Sequence, residues 1–231
     1  MTSKPLLLPE HTLLKRGANG SRRVAIETAA GSLILHSFCP PSLVASLKAD
    51  RGLHAFARIP EREYQLLLGI AERPDCVLML AYTPRGEIVG QVTLAPLDHW
   101  WHDIGNAYEI AVEVSTGWRR MGIAHHLLSF ALEFESVEEY LIVGLGLSWH
   151  WDYAGLGITP SHYRELIARL FAAHGFSEYL TSEPNIRMDP ANILLARLGS
   201  RLTEESMNRF YQRLFQSYEV ANKETIIASG K

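Results

Sequence analysis

The run from Tyr140 to Leu147 carries no charged side chain and, beyond the phenol of Tyr140, no polar one. A strand so apolar has no face to offer water, so it must be covered on both sides. A parallel pair joined by a helix that lies across the sheet meets that demand. The preceding residues supply the parts. Tyr108 to Val114 reads as a strand, and Gly122 to about Val137 as a helix with Ile123, Leu127, Phe130, Ala131 and Phe134 on its apolar side. Residues 107 to 147 thus form one strand–loop–helix–strand unit, and the function is expected there.

The rest of the chain surrounds that unit. Short strands are expected near Val24 to Glu27 and Ser32 to His36, and helices after Pro40-Pro41 and after Pro60. A hairpin runs Val77 to Tyr82, turns over Pro84 to Glu87, and returns as Ile88 to Leu94. The pattern predicts an α/β fold with a mixed, mostly antiparallel sheet and a helical tail from about Thr203 to Tyr218. Residues 1–22 read as an N-terminal arm, and 23–231 as one domain, with no linker or repeat to divide it.

Composition narrows the function by exclusion. A net charge of −3 argues against a dedicated nucleic-acid binder. Cys39 and Cys76 are too few and too far apart for a disulfide scaffold. No secretory segment or apolar span is read, so no membrane association is expected and the cytoplasm is the expected compartment. His99, His102 and Asp103 lack a third firm partner for a metal, and none is expected there.

The loop before the helix is Arg119-Arg120-Met121-Gly122-Ile123-Ala124. A helix N-terminus is partly positive and normally attracts acids, yet two arginines stand at this one. No Ser, Thr, Asn or Asp precedes Gly122 to cap it. Gly122 and Ala124 are small enough for a ligand to approach the backbone. A diphosphate would answer the amides and the arginines together; the other reading is a solvated surface loop.

Val114 followed by Arg119-x-x-Gly122-x-Ala124 resembles the CoA-binding signature of the GNAT acetyltransferases. Ser148-Trp149-His150-Trp151-Asp152, Asp189-Pro190-Ala191-Asn192 and Glu204 to Phe210 are similar to the acetoin-utilisation (AcuA-type) branch, and the likeness covers roughly residues 50 to 218. The resemblance implies a GNAT domain and acetyl-CoA as cosubstrate, held by Val112, Val114, Arg119, Arg120, Met121, Gly122, Ile123, Ala124 and His125. It also implies acetylation of a protein lysine on an AMP-forming acetyl-CoA synthetase, which is thereby inhibited. A small-amine acetyltransferase and a non-catalytic acetyl-CoA-binding partner are the alternatives.

A lysine ammonium, pKa about 10.4, must lose a proton before it can attack a thioester. Glu113 is the first candidate base, since an acid in an apolar strand is costly unless paired or functional, and the resemblance implies the same role. Solvent exposure or pairing with an arginine would be the ordinary alternative. Glu109 is the second candidate and shares a face with Glu113 unless a bulge breaks the strand. GNAT enzymes often protonate the thiolate with a tyrosine before a Gly-Phe pair. Here Phe171 holds that place if the helix is Ser161 to His174, and Leu195 if it is Asp189 to Gly199. Tyr163, Tyr153 or water would have to substitute. His150, with Asp152, could shape the amine's tunnel or be structural. Asn192 is a CoA contact by analogy, or a cap.

Overall fold

The computed structural model describes residues 21–97, 99–101 and 103–216. The arm expected over residues 1–22 lies outside these except for Ser21 and Arg22, as do Asp98, His102 and Tyr218. A hairpin of β1 (Arg23–Thr28) and β2 (Gly31–His36) leads into α1 (Pro41–Ala45), the two-residue β3 (Lys48–Ala49) and α2 (Pro60–Glu72). Then come β4 (Val77–Tyr82), β5 (Glu87–Pro96), β6 (Ala107–Val114), α3 (Ile123–Leu132) and β7 (Leu141–Gly146). The chain finishes with α4 (Pro160–Ala172), β8 (Ser177–Tyr179), α5 (Pro184–Arg187), β9 (Ile193–Leu198) and α6 (Glu204–Leu214).

The strands lie in the order β1-β2-β4-β5-β6-β7-β9-β8, with β3 paired in parallel to β5. Among the described residues the other parallel pair is β6–β7, as the apolar run of β7 demands. The fold is therefore the expected mixed, mostly antiparallel sheet flanked by helices. No helix of the described residues is long and apolar enough to cross a membrane. Both cysteines are free thiols, and burial pushes Cys39 up to about 12.

Three elements differ from expectation. The helix after the loop stops at Leu132 rather than Val137; the chain turns extended at Phe134, whose ring packs edge-on against Phe38 at 4.7 Å. Residues 193–198 form a strand, so the helix considered over Asp189 to Gly199 falls. Its Leu and Ala residues favour a helix locally, but pairing with β7 on one side and β8 on the other decides the matter. The bulge considered for the Glu109–Glu113 strand lies instead where β5 passes Ala81 and Tyr82.

Register assigns the faces of the sheet. Pairing of β5 with β6 is unbroken from Gly90↔Val114 to Pro96↔Tyr108, so side chains alternate strictly along β6. Ile110, Val112 and Val114 share a face with Val92 and Leu94, covered by α3 and by Phe171 of α4. The opposite face is covered in two places. Leu67 of α2 packs on Leu78, Leu80 and Ile88 at one, and Phe210 of α6 packs on Leu141, Val143 and Leu194 at the other. Between these two clusters β6 presents Glu109 and Glu113.

The sheet is also split. β6 and β7 pair only at Ala107↔Leu141, Tyr108↔Ile142 and Glu109↔Val143. Beyond Glu109, β6 stays with β5 while β7 follows β9 as far as Gly146↔Ile193. The two strands splay, and a wedge opens between them.

Candidate active site

A cleft of about 390 Å³ fills the wedge. Its walls come from both faces of the sheet. Gln91, Glu109 and Glu113 line it with Leu66 and Ile70 of α2 from one side. Val112, Val114, Arg119 and Ala124 line it with Tyr163 and Phe171 of α4 from the other. Because neighbouring residues of β6 point to opposite faces, the cleft passes through the sheet.

On the α3 side the helix tip is open. Gly122 is the capping residue at φ 77°, no side chain caps the helix, and its first turn holds no acid. Arg120 also has a left-handed φ of 64°. Successive amides in such a turn form an anion-binding hollow, in addition to the partial positive charge of the helix. The arginines divide. Arg120 is exposed, whereas Arg119 is already neutralised: its Nη1 lies 2.7 Å from Asp152 Oδ2 and its Nε donates to Val114 O at 3.4 Å. Both arginines are expected to face an anion; Arg119 would do so with its charge shared with Asp152, 33 residues away.

The other loop residues contribute unequally. Ile123 is core, so only its amide can reach a ligand, and Met121 packs against the same core. His125 is exposed on the first turn, with Nδ1 3.2 Å from His174 Nε2. Burial, and then the charge of His125, hold His174 below the usual imidazole range. Gly144 and Gly146 are crowded by the protein itself. A Cβ on Gly146 would come within 2.5 Å of Ile193 Cγ2, and one on Gly144 within 3.4 Å of Phe171.

On the acid side Glu113 is 5% exposed. Its Oε1 accepts the N–H groups of His54 and Ala55, both at 2.8 Å, and its Oε2 is buried without a donor. Burial, followed by the charge of Glu63, pushes its carboxyl up to about 7, while the two amides oppose the shift. It is neither solvated nor held by an arginine. Glu109 lines the same face, half-buried. Sequence reasoning missed Glu63, which is fully buried in α2, and Gln91, which lies opposite Glu113 in register. It also missed the segment from Leu53 to Ala57 whose amides hold the acids.

The helix before Gly175-Phe176 is α4, so Phe171 occupies the usual tyrosine place. Its ring meets Phe176 edge-on at 5.0 Å and offers no hydroxyl. Tyr163, two turns earlier on α4, lines the cleft and stacks on Trp151 at 5.2 Å. Burial raises its phenol above the ordinary value. His150 also lines the cleft; its Nδ1 lies 3.0 Å from Ala55 O, which ties it to the segment holding Glu113. Asn192 is placed elsewhere. Its Oδ1 accepts Ser148 N at 2.6 Å and its Nδ2 donates to Asn185 O at 2.7 Å, so the side chain braces the end of β7 instead of reaching the cleft.

Comparison with known proteins gives this geometry a family. The model of the Acetyltransferase (GNAT) family matches residues 46–136. The chain is 32% identical over 192 residues to acetoin utilization protein AcuA of Bacillus subtilis, spanning 80% of this chain and 90% of that one. It is 29% identical over 197 residues to AcuA of Bacillus licheniformis, spanning 83% and 93%. The crystal structure of an acetoin utilization protein from Exiguobacterium sibiricum is similar at 28% identity with a TM-score of 0.80, covering 84% of this chain and 94% of that one. The chain is thus an N-acetyltransferase of a family whose cosubstrate is acetyl-CoA, and it belongs to the AcuA-type branch of the GNAT family.

Proposed function

We propose that this enzyme acetylates a lysine side chain of a protein, an AMP-forming acetyl-CoA synthetase, with Glu113 as general base. One observation carries the reading: a buried carboxyl, held by two backbone amides and raised toward neutrality by burial, stands on the cleft face opposite the helix tip. An ordinary carboxylate, pKa about 4.3, is too weak a base for an ammonium, and a group tuned toward neutrality closes much of that gap.

Acetyl-CoA supplies an activated acetyl thioester. The amides from Gly122 to Ala124, with Arg120, would hold its diphosphate, and Val112 and Val114 lie along the path from there into the wedge. The edge of β6 beyond Glu109 pairs with no strand among the described residues on the side of β7, which leaves amides for the oxygen on which charge develops. Glu113 takes one proton from the ammonium. The nitrogen's second proton goes to the departing sulfur, so the products are an amide and a thiol. Tyr163 suits donation of a hydrogen bond to that sulfur better than full proton transfer. Its phenol is raised by burial from an ordinary value of about 10, and a thiol titrates near about 8.5, so transfer would run uphill.

The acceptor end supports a protein substrate. Apolar Leu66 and Ile70 beside Glu109 and Glu113 suit an aliphatic stem that ends in an ammonium. Leu66 is 41% exposed, and Trp149, next to His150, is 39% exposed, an apolar rim suited to another protein's surface.

The test is mass spectrometry of a purified AMP-forming acetyl-CoA synthetase incubated with acetyl-CoA and this enzyme. A new acetyl-lysine with loss of synthetase activity is expected. An unmodified synthetase beside acetylated polyamines would transfer the reading to small amines. Arg119→Ala should raise the KM for acetyl-CoA only about 3–10-fold with kcat nearly unchanged, because its charge is already shared with Asp152.

A further inference from the structure

An acid in the first turn of a helix normally faces water, where it meets the positive end of the dipole. Glu63 stands in the first turn of α2 and is 0% exposed. Its Oε2 accepts the Ala57 N–H at 2.8 Å, two residues beyond the amides held by Glu113 Oε1. One short segment therefore clamps both carboxyls by their outer oxygens. The inner ones, Glu63 Oε1 and Glu113 Oε2, are buried without a donor, and so is Oε1 of Gln91, across from Glu113. Each such unmet acceptor is costly to bury. An unmet carboxyl oxygen on each acid, with the Gln91 amide opposite Glu113, describes a site built to receive a hydrogen.

We propose that Glu63 and Glu113 form a carboxyl dyad that captures the substrate's proton between Glu63 Oε1 and Glu113 Oε2. Glu113 is the catalytic residue and Glu63 the positioning residue that tunes it; the inference rests on the reading of Glu113 as base. The step balances simply. An N–H bond of the ammonium breaks, an O–H bond forms on Glu113, and the dyad passes from two negative charges to one as Glu63 Oε1 accepts from the new hydroxyl. Water removes the proton after the amide forms. Burial does most to strengthen Glu113 as a base; the like charge of Glu63 adds to it, and the hydrogen bond between the two carboxyls acts in the same direction.

The other groups around Glu113 do not substitute for Glu63. From β5 comes neutral Gln91, and from β6 itself Glu109, on the same face but two positions along it. From the segment before α2 come the His54 and Ala55 amides, with the His150 ring held on Ala55 O. From the α4 side comes Tyr163, which feels Arg119, Asp152 and Glu113 together.

The test is a carboxyl-carbon NMR titration of the glutamate-labelled enzyme, with Glu113 assigned through Glu113→Gln. In the wild type the Glu63 carboxyl-carbon signal should move as Glu113 takes up its proton near pH 7, as it must where the two carboxyls share that proton. In Glu63→Gln the Glu113 step should fall by about one pH unit or more, and the acidic limb of kcat/KM should fall with it. The KM for acetyl-CoA should hold in that variant, and Glu63→Asp, which keeps the charge, should restore most of the shift. A Glu113 titration unmoved in Glu63→Gln overturns the dyad. If neither variant folds, a Glu63 signal silent through the Glu113 step in the wild type overturns it as well. Failure of the underlying reading looks different: full acetylation by Glu113→Gln removes the catalytic role even where the coupled titration is intact.

Discussion

Glu113→Gln is expected to lower the acetylation rate by about 10²–10⁴-fold, the usual contribution of a general base, while acetyl-CoA affinity stays within a factor of about two. The amide keeps the shape and an acceptor for the His54 and Ala55 amides, so what it loses is the capacity to take a proton. Calorimetry with acetyl-CoA and a steady-state assay measure the two quantities separately. A rate within about threefold of wild type would end the assignment. Activity of the native enzyme should rise as pH climbs through about 7, where Glu113 gives up its proton.

The same substitution should stabilise the protein above neutrality. Folding raises the Glu113 carboxyl from 4.5 to about 7, so the folded state binds the proton more tightly than the unfolded chain does. Stability from this group is complete below about pH 4.5 and is lost as pH rises through 7. At about pH 8 the native carboxylate is charged and buried, whereas the glutamine of the variant is neutral and can donate to Glu63. A gain of about 2 kcal/mol, or roughly 4–8 °C in Tm, is expected at about pH 8 and should vanish near about pH 4. A catalytic loss paired with a pH-dependent gain in stability is the signature of a group kept for chemistry.

The second large effect is expected from Gly122→Asp. A carboxylate at the tip of α3 would occupy the hollow proposed for the diphosphate, and acetyl-CoA should bind at least about 30-fold more weakly through repulsion and lost amide contacts. Stability should change little. Asp tolerates the left-handed φ of 77° better than most residues, and the helix dipole favours its charge, offsetting a strain of about 1 kcal/mol. Thermal melting without ligand and calorimetry with it separate the effects. An unchanged affinity would remove the diphosphate from this loop.

The central unit was legible in the sequence because its signals are local. An apolar strand, a hairpin turn and a helix without a capping side chain are each written in adjacent residues. What stayed hidden depends on distant partners. Asp152, which neutralises Arg119, and the amides of His54 and Ala55, which hold Glu113, are brought in by the fold across 33 and 58–59 residues. Glu63 did leave a trace. It precedes Leu67 by four residues, on the apolar stripe of α2, where an unpartnered acid would be costly. The Leu and Ala content of residues 193–198 does not distinguish strand from helix; two neighbouring strands do.

The passage through the sheet gives the enzyme two doors. Arg119 and Ala124 stand at one, Leu66 and Ile70 at the other, and all four line the same cleft. A donor threaded from the first leaves the second clear, so an acceptor as bulky as a folded protein need only present one side chain while its body stays outside. On the proposed reading neither reactant has to depart before the other arrives, and the amine meets the acetyl group directly, with no acyl group parked on the enzyme between two half-reactions.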